Sequence, residues 1–278
     1  MDKLKIVAVL AHPDDESFGM GGTLALYSSM GHSVSLICAT RGEAGTVDDH
    51  FMEDFSSIAE LREGELRCAA SHLGLDELIL LDYRDSGMTG SADNANPKAH
   101  INQPVEKVAE NVVAHLRRLK ADIVLTFDPI GGYRHPDHIH IHNATNIAFQ
   151  KCDDASFGST EYGTHQPSKL YYHTIPRSFM RFGVRMIKLF GGDPSRWGRN
   201  KDIDLASLAN VYFPTHVSIN YSKVGDKKTA ASACHASQGG AQMRKGVLGM
   251  LFKLFGEKDT YMQAFPSLPE NAKVSDVL

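Results

Sequence analysis

The sequence predicts an α/β protein built on a mainly parallel sheet with helices on both faces, followed by a less regular C-terminal part. Three observations predict it. Ile6-Val7-Ala8-Val9-Leu10-Ala11 is a short apolar run that stops at His12, Pro13 and three consecutive acids, as a strand buried on both faces would. Comparable runs recur after helical spacing, and strands alternating with helices make βαβ units. Polar bursts follow the runs at their C-terminal ends, where open α/β sheets place their ligands. The pattern is Rossmann-like.

Taken in order, Glu16 to Met30 reads as a helix closed by Gly31 in the C′ position, where φ can be positive. Ser33 to Thr40 is a second strand, followed by the glycine-containing loop 41–46. Phe51 to Leu73 has helical spacing and ends at Gly74; Leu78 to Leu81 is a short third strand. Val105 to Leu119 is a helix, Ile123 to Phe127 a fourth strand, and Pro136 to Gln150 a helix that starts on a proline. If the strand order is 3-2-1-4-5, strands one and four are neighbours at a switch point. The His12 and His135 loops then face each other across one crevice. Leu170 to Thr174 and His216 to Ile219 read as later strands, Tyr221 to Ser237 as a helix, and Val247 to Phe255 as an apolar segment of the tail. No repeat or linker divides the chain. It reads as a single domain, 1–278, in which 177–207 is an excursion or lid. Arg177, Arg181, Arg185 and Lys188 fall on one helical face of that excursion: a solvated face, a cover for an anionic substrate, an oligomer contact or a membrane-surface helix.

Composition narrows the function. The chain has 278 residues, a net charge of −4 and an apolar fraction of 42%, enough for a core and unlike a nucleic-acid footprint. Cys38, Cys68, Cys152 and Cys234 lie far apart without a CxxC pair, so they are expected as unpaired buried thiols. No stretch has the length of a signal-peptide core or membrane span, and a cytoplasmic protein is expected.

His12, Asp14, Asp15 and His138 carry the chemistry. Two histidines and a carboxylate suit a hydrolytic zinc site that keeps a position for water. One of the adjacent acids can bind the metal while the other takes a proton from the water it activates. His135 can face the same metal without binding it, as an imidazolium that stabilises an oxyanion or protonates a leaving amine. Asp137 is suited to orient a histidine. Gly131 and Gly132 give Tyr133 freedom to swing in. Gly19, Gly21 and Gly22 superficially suggest a dinucleotide loop, but the spacing is wrong and the preceding acids would repel a pyrophosphate.

Ala11-His12-Pro13-Asp14-Asp15-Glu16 together with His135-Pro136-Asp137-His138 resembles the LmbE-like zinc de-N-acetylase superfamily. Arg62-Glu63-Gly64-Glu65-Leu66, Arg84-Asp85-Ser86-Gly87-Met88, Asp128-Pro129 with Gly131-Gly132-Tyr133, and His235-Ala236-Ser237-Gln238 are similar to its mycothiol branch. That branch comprises an inositol-glucosaminide deacetylase and a conjugate amidase. The resemblance implies His12, Asp15 and His138 as zinc ligands and Asp14 as general base. It implies His135, with Asp137 behind it, as electrostatic and acid partner, and Tyr133 as the group that polarises the amide carbonyl. Arg62 and Asp85 would contact sugar hydroxyls, and Gln238 would line the site. The expected activity is zinc-dependent removal of an N-acetyl group from an N-acetylglucosamine-type substrate. Iron(II) is an alternative metal, and the partner is a small amino sugar; a homo-oligomer is left open. Arg134 and the basic excursion depart from the branch. The alternatives are an amidase on a thiol-sugar conjugate and a non-catalytic zinc-containing sugar-binding module.

Overall fold

The computed structural model describes residues 3–198, 200–242 and 257–272. Strand β1 (Lys5–Leu10) leads into two short helices, α1 (Asp15–Phe18) and α2 (Gly21–Ser29). β2 (Ser33–Thr40), α3 (Ile58–Leu73), β3 (Glu77–Tyr83), α4 (Val105–Leu119) and β4 (Ile123–Phe127) follow. Next come a distorted turn α5 (Gly131–Arg134), α6 (Pro136–Lys151) and β5 (Lys169–Thr174). The chain then runs through α7 (Arg177–Leu189), α8 (Leu205–Leu208), β6 (Val217–Asn220), α9 (Gly225–Cys234) and β7 (Lys258–Phe265).

The sheet order is β3-β2-β1-β4-β5-β7-β6. β1 pairs in parallel with β2 on one side and β4 on the other, which puts the switch point between β1 and β4 as expected. The central strands are buried nearly end to end, which is why they read as apolar runs rather than alternations. β7, antiparallel to β5 and β6, has no counterpart in the sequence reading. Its Asp259, Thr260 and Gln263 are buried polar residues with hydrogen-bond partners inside the fold, which hides the strand from an apolar count.

Three helix expectations change. The helix expected over Glu16 to Met30 is interrupted between α1 and α2. Gly22 there lies against the Tyr221 ring, where an added Cβ would come within 2.0 Å of a ring carbon. Gly22 thus serves packing. α3 starts at Ile58 instead of Phe51, because Ser57 caps it by accepting the Glu60 N–H. The helix expected over Tyr221 to Ser237 is α9 with a 3-10 turn on each side. The apolar segment Val247 to Phe255 lies outside the described residues.

The cysteine expectation is corrected. Cys68 on α3 and Cys234 at the end of α9 form a disulfide, with Cα atoms 5.8 Å apart. Packing of α9 on α3 brings together residues 166 positions apart in sequence. Cys38 and Cys152 are free and buried, as expected. Among the described residues, no helix is long and apolar enough to cross a membrane.

Candidate active site

The β1 loop turns sharply at Asp14. Its φ of 116° is a strained conformation for a residue with a side chain, held by contacts from Glu16 and Arg62. The Asp14 N–H donates to Glu16 Oε2 at 3.0 Å, and Arg62 Nη2 donates to Asp14 Oδ2 at 2.8 Å and to the Pro13 carbonyl. Asp15 turns the other way, and its Oδ2 accepts the His12 N–H at 2.7 Å. The turn sends consecutive carboxylates in different directions.

The β4 loop is shaped by Asp128, whose Oδ1 accepts the N–H groups of Ile130 and Gly132. Gly131, at φ 64°, lies against α6, where an added Cβ would come within 2.7 Å of the His138 Cβ. This close approach needs glycine. The Gly131 carbonyl lies 3.2 Å from His138 Nδ1, which assigns the proton to Nδ1 and turns Nε2 toward the crevice.

The crevice brings the expected ligand atoms together. His12 Nδ1 lies 3.1 Å from His138 Nε2, Asp15 Oδ1 is 3.2 Å from His138 Nε2, and Asp15 Oδ2 is 3.6 Å from His12 Nδ1. Donors bound to one zinc at about 2.0–2.1 Å with tetrahedral angles would be roughly 3.3–3.4 Å apart. The donor set therefore fits a divalent cation. Charge agrees: Asp14, Asp15, Asp85 and Asp137 surround this point, while Arg62 pairs with Asp14. A second grouping, His12, Asp85, His135 and Asp137, could also hold a metal. Its carboxylates, however, already accept N–H groups from Ser86, Gly87 and Ala44.

Neighbouring acids differ in their proton affinity. Burial pushes Asp14 up to about 6, against the pull of Arg62. Burial also opposes the Asp15 charge, but the His138 and His12 imidazoles hold its carboxyl well below the usual range. Burial raises the Tyr133 phenol, which stays protonated as a donor.

One expectation about the second loop is corrected, the partner of the Asp137 carboxylate. Burial, with His12 and His138 alongside, pushes His135 well below the ordinary histidine range. Its Nδ1 accepts the Asp137 backbone N–H at 3.2 Å, capping α6 and leaving the ring proton on Nε2. The Asp137 carboxylate stands behind His12 instead of His135, with Oδ2 3.2 Å from His12 Nε2. A side chain at the first turn of α6 reaches across the crevice, while its backbone serves its own loop.

A cavity of about 1910 Å³ opens over these groups, and Asp14, Arg62, Asp85, Tyr133, His135 and Gln238 all line it. Arg62 is 3% exposed, and its guanidinium is committed to Asp14, Pro13 and Gly42. Asp85 turns one oxygen toward His12 Nε2 at 3.4 Å. Gln238 sits at the rim, bonded to Ser237 Oγ at 3.1 Å. The excursion contributes Phe179, Phe182, Arg181 and Arg185 to the lining.

Glu16 and His235 were missed as site supports. Both are fully buried, and His235 Nε2 meets Glu16 Oε1 at 2.7 Å while the other Glu16 oxygen holds the Asp14 N–H. The available signal was the third of three consecutive acids, but its partner is 219 residues away.

Fold and site together define a Rossmann-like α/β protein with a histidine–carboxylate centre at the switch point of its sheet. The GlcNAc-PI de-N-acetylase family matches residues 7–149, and the chain belongs to that LmbE-like family. It is 32% identical to a 1D-myo-inositol 2-acetamido-2-deoxy-alpha-D-glucopyranoside deacetylase of Rhodococcus jostii, over 86% of this chain and 82% of that one. A second deacetylase of that name, from Catenulispora acidiphila, is 34% identical over 84% of this chain and 79% of its own. Among solved structures, N,N'-diacetylchitobiose deacetylase from Pyrococcus horikoshii superposes with a TM-score of 0.62 at 20% identity, covering 96% of this chain and 84% of that one. The conserved protein TT1542 from Thermus thermophilus gives 0.63 at 21%, covering 96% and 97%.

Proposed function

We propose that this protein is a divalent-metal-dependent N-deacetylase that releases acetate from an N-acetylglucosamine-type substrate. One observation carries the reading: His12, Asp15 and His138 aim three donor atoms at one point beside the Asp14 carboxylate, at the head of a cavity. The named relatives, deacetylases of a glucosaminide, support the substrate class. His12 Nδ1, His138 Nε2 and the Asp15 carboxylate would hold the cation, zinc by the donor set and iron(II) as the alternative. When bound, it would act as a Lewis acid and bring the pKa of water toward neutrality.

The chain's own residues supply the rest. Asp14, raised to about 6 by burial, is ionised near neutral pH and takes the proton of the attacking water. The Tyr133 hydroxyl and the His135 Nε2–H are donors for the carbonyl oxygen as it gains charge. The protonated Asp14 then passes its proton to the leaving nitrogen. Arg62 acts through Asp14, holding its carboxylate and the turn that carries it.

The test is acetate release from a panel of N-acetylglucosaminides, with and without a chelator, and with zinc or iron(II) restored. Release that stops with chelator and returns with metal is expected. Metal-loaded protein that releases no acetate would leave a sugar-binding module, and cleavage of a thiol-sugar conjugate alone would leave the amidase.

A further inference from the structure

We propose that His100, together with Ser86 and acting through Asp137, is a positioning residue that presets the His12 ring for metal binding. The inference rests on the metal-dependent reading above and concerns residues that reading does not use.

Asp137 is fully buried and absent from the cavity lining. Its Oδ2 accepts the Ser86 backbone N–H at 2.9 Å and lies 3.2 Å from His12 Nε2. Its Oδ1 accepts the Ser86 hydroxyl at 2.5 Å and lies 3.3 Å from His100 Nδ1. His100 is itself fully buried. Neither of its ring nitrogens completes a well-formed hydrogen bond, and Asp137 is the charged group that faces it. An apolar side chain of that size would fill the space without the penalty of unsatisfied buried nitrogens.

The chain between Arg84 and Ile101 is folded to deliver these contacts. The His100 N–H donates to the Arg84 carbonyl at 2.8 Å, and the Ser86 hydroxyl accepts the Ile101 N–H at 3.1 Å. The His100 ring is packed between Tyr83 and His140 at centroid distances of 5.2 and 4.7 Å. Asp137 is thus restrained through both oxygens, and Oδ2 stays on His12 Nε2. That contact keeps the His12 proton on Nε2 and the lone pair on Nδ1, the nitrogen that faces His138 and Asp15. Without His100, Asp137 is left to Ser86 alone, its hold on His12 Nε2 loosens, and His12 gains access to the tautomer whose Nδ1 proton blocks the metal.

The experiment compares His100→Leu, His100→Asn and Ser86→Ala in the full chain. Zinc affinity is read by competition with a chromophoric chelator, folding by melting of the metal-free protein, and kcat and KM from acetate release. Asn places an amide N–H where Nδ1 was; Leu does not. His100→Leu is expected to weaken zinc about 10–100-fold, Ser86→Ala about tenfold, and His100→Asn less than about threefold. With saturating zinc, KM should stay at the wild-type value. Wild-type zinc affinity in folded His100→Leu overturns the proposal, as does a loss in His100→Asn equal to that in His100→Leu. If His100→Leu fails to fold, Ser86→Ala decides: weakened zinc supports the proposal, and wild-type affinity overturns it. Zinc affinity is read without turnover, so failure here is separate from an absence of deacetylase activity in the wild-type protein.

Discussion

The switch-point crevice and the excursion 177–207 border the same cavity and are built on opposite terms. In the crevice, His12, Asp85, His135, Asp137 and His138 are all nearly buried, and the carboxylates are held by identified donors. In α7 no residue is buried, and Leu189 and Phe190 at its end are 74% and 73% exposed. Its Arg181, Arg185 and Lys188 face solvent, and Arg177 makes one long contact to the Ala209 carbonyl. The difference teaches where geometry is over-determined. Chemistry needs donors fixed before the substrate arrives, and buried, fully partnered side chains provide that. The excursion contributes only lining residues to the cavity.

Substitutions in the two regions should therefore differ in kind. The largest effect is expected for Asp14→Ala, with turnover lowered about 10²–10⁴-fold while metal stays bound; acetate release with elemental analysis checks it, and loss of metal would remove Asp14 from the base role. His138→Ala should lower zinc occupancy by the same analysis, and unchanged occupancy would move the ligand set to the second grouping. His235→Ala leaves Glu16 buried without its partner, and removing one member of such a pair typically costs about 3–5 kcal/mol. Thermal melting measures it, and a loss below about 1 kcal/mol would mean the pair is not part of the preorganised frame.

Arg62 sharpens the comparison through pH. Asp14 accepts a proton only as a carboxylate, so kcat/KM should fall as pH drops through about 6. The guanidinium lowers the Asp14 pKa, so Arg62→Ala should move that acid limb to higher pH. An unmoved limb with a raised KM would return Arg62 to the sugar-contact role its motif suggests. The smallest effect is expected for the Arg181→Ala, Arg185→Ala double variant, whose stability should change by no more than about 0.5 kcal/mol. A large drop in Tm would show that α7 is part of the frame, and the contrast between the two regions would fail.

Much of this protein was legible without coordinates. The strands of the parallel half, the switch point and the loops that carry His12, Asp15, Tyr133 and His138 all follow from short apolar runs that end in polar bursts. Each depends on neighbours within a few positions, so contiguous sequence carries the information. The resemblance of the paired histidine motifs added roles, and the structure brings most of those residues to one cavity. Tertiary structure alone decided which histidine Asp137 supports, that Arg62 holds Asp14, that Cys68 reaches Cys234, and that Glu16 is paired with His235. It also placed β7, whose buried polar residues conceal it. The physical reason is the same in each case. Those partners stand 48 to 219 residues apart, and only the packing of helices and loops onto the finished sheet sets their distances.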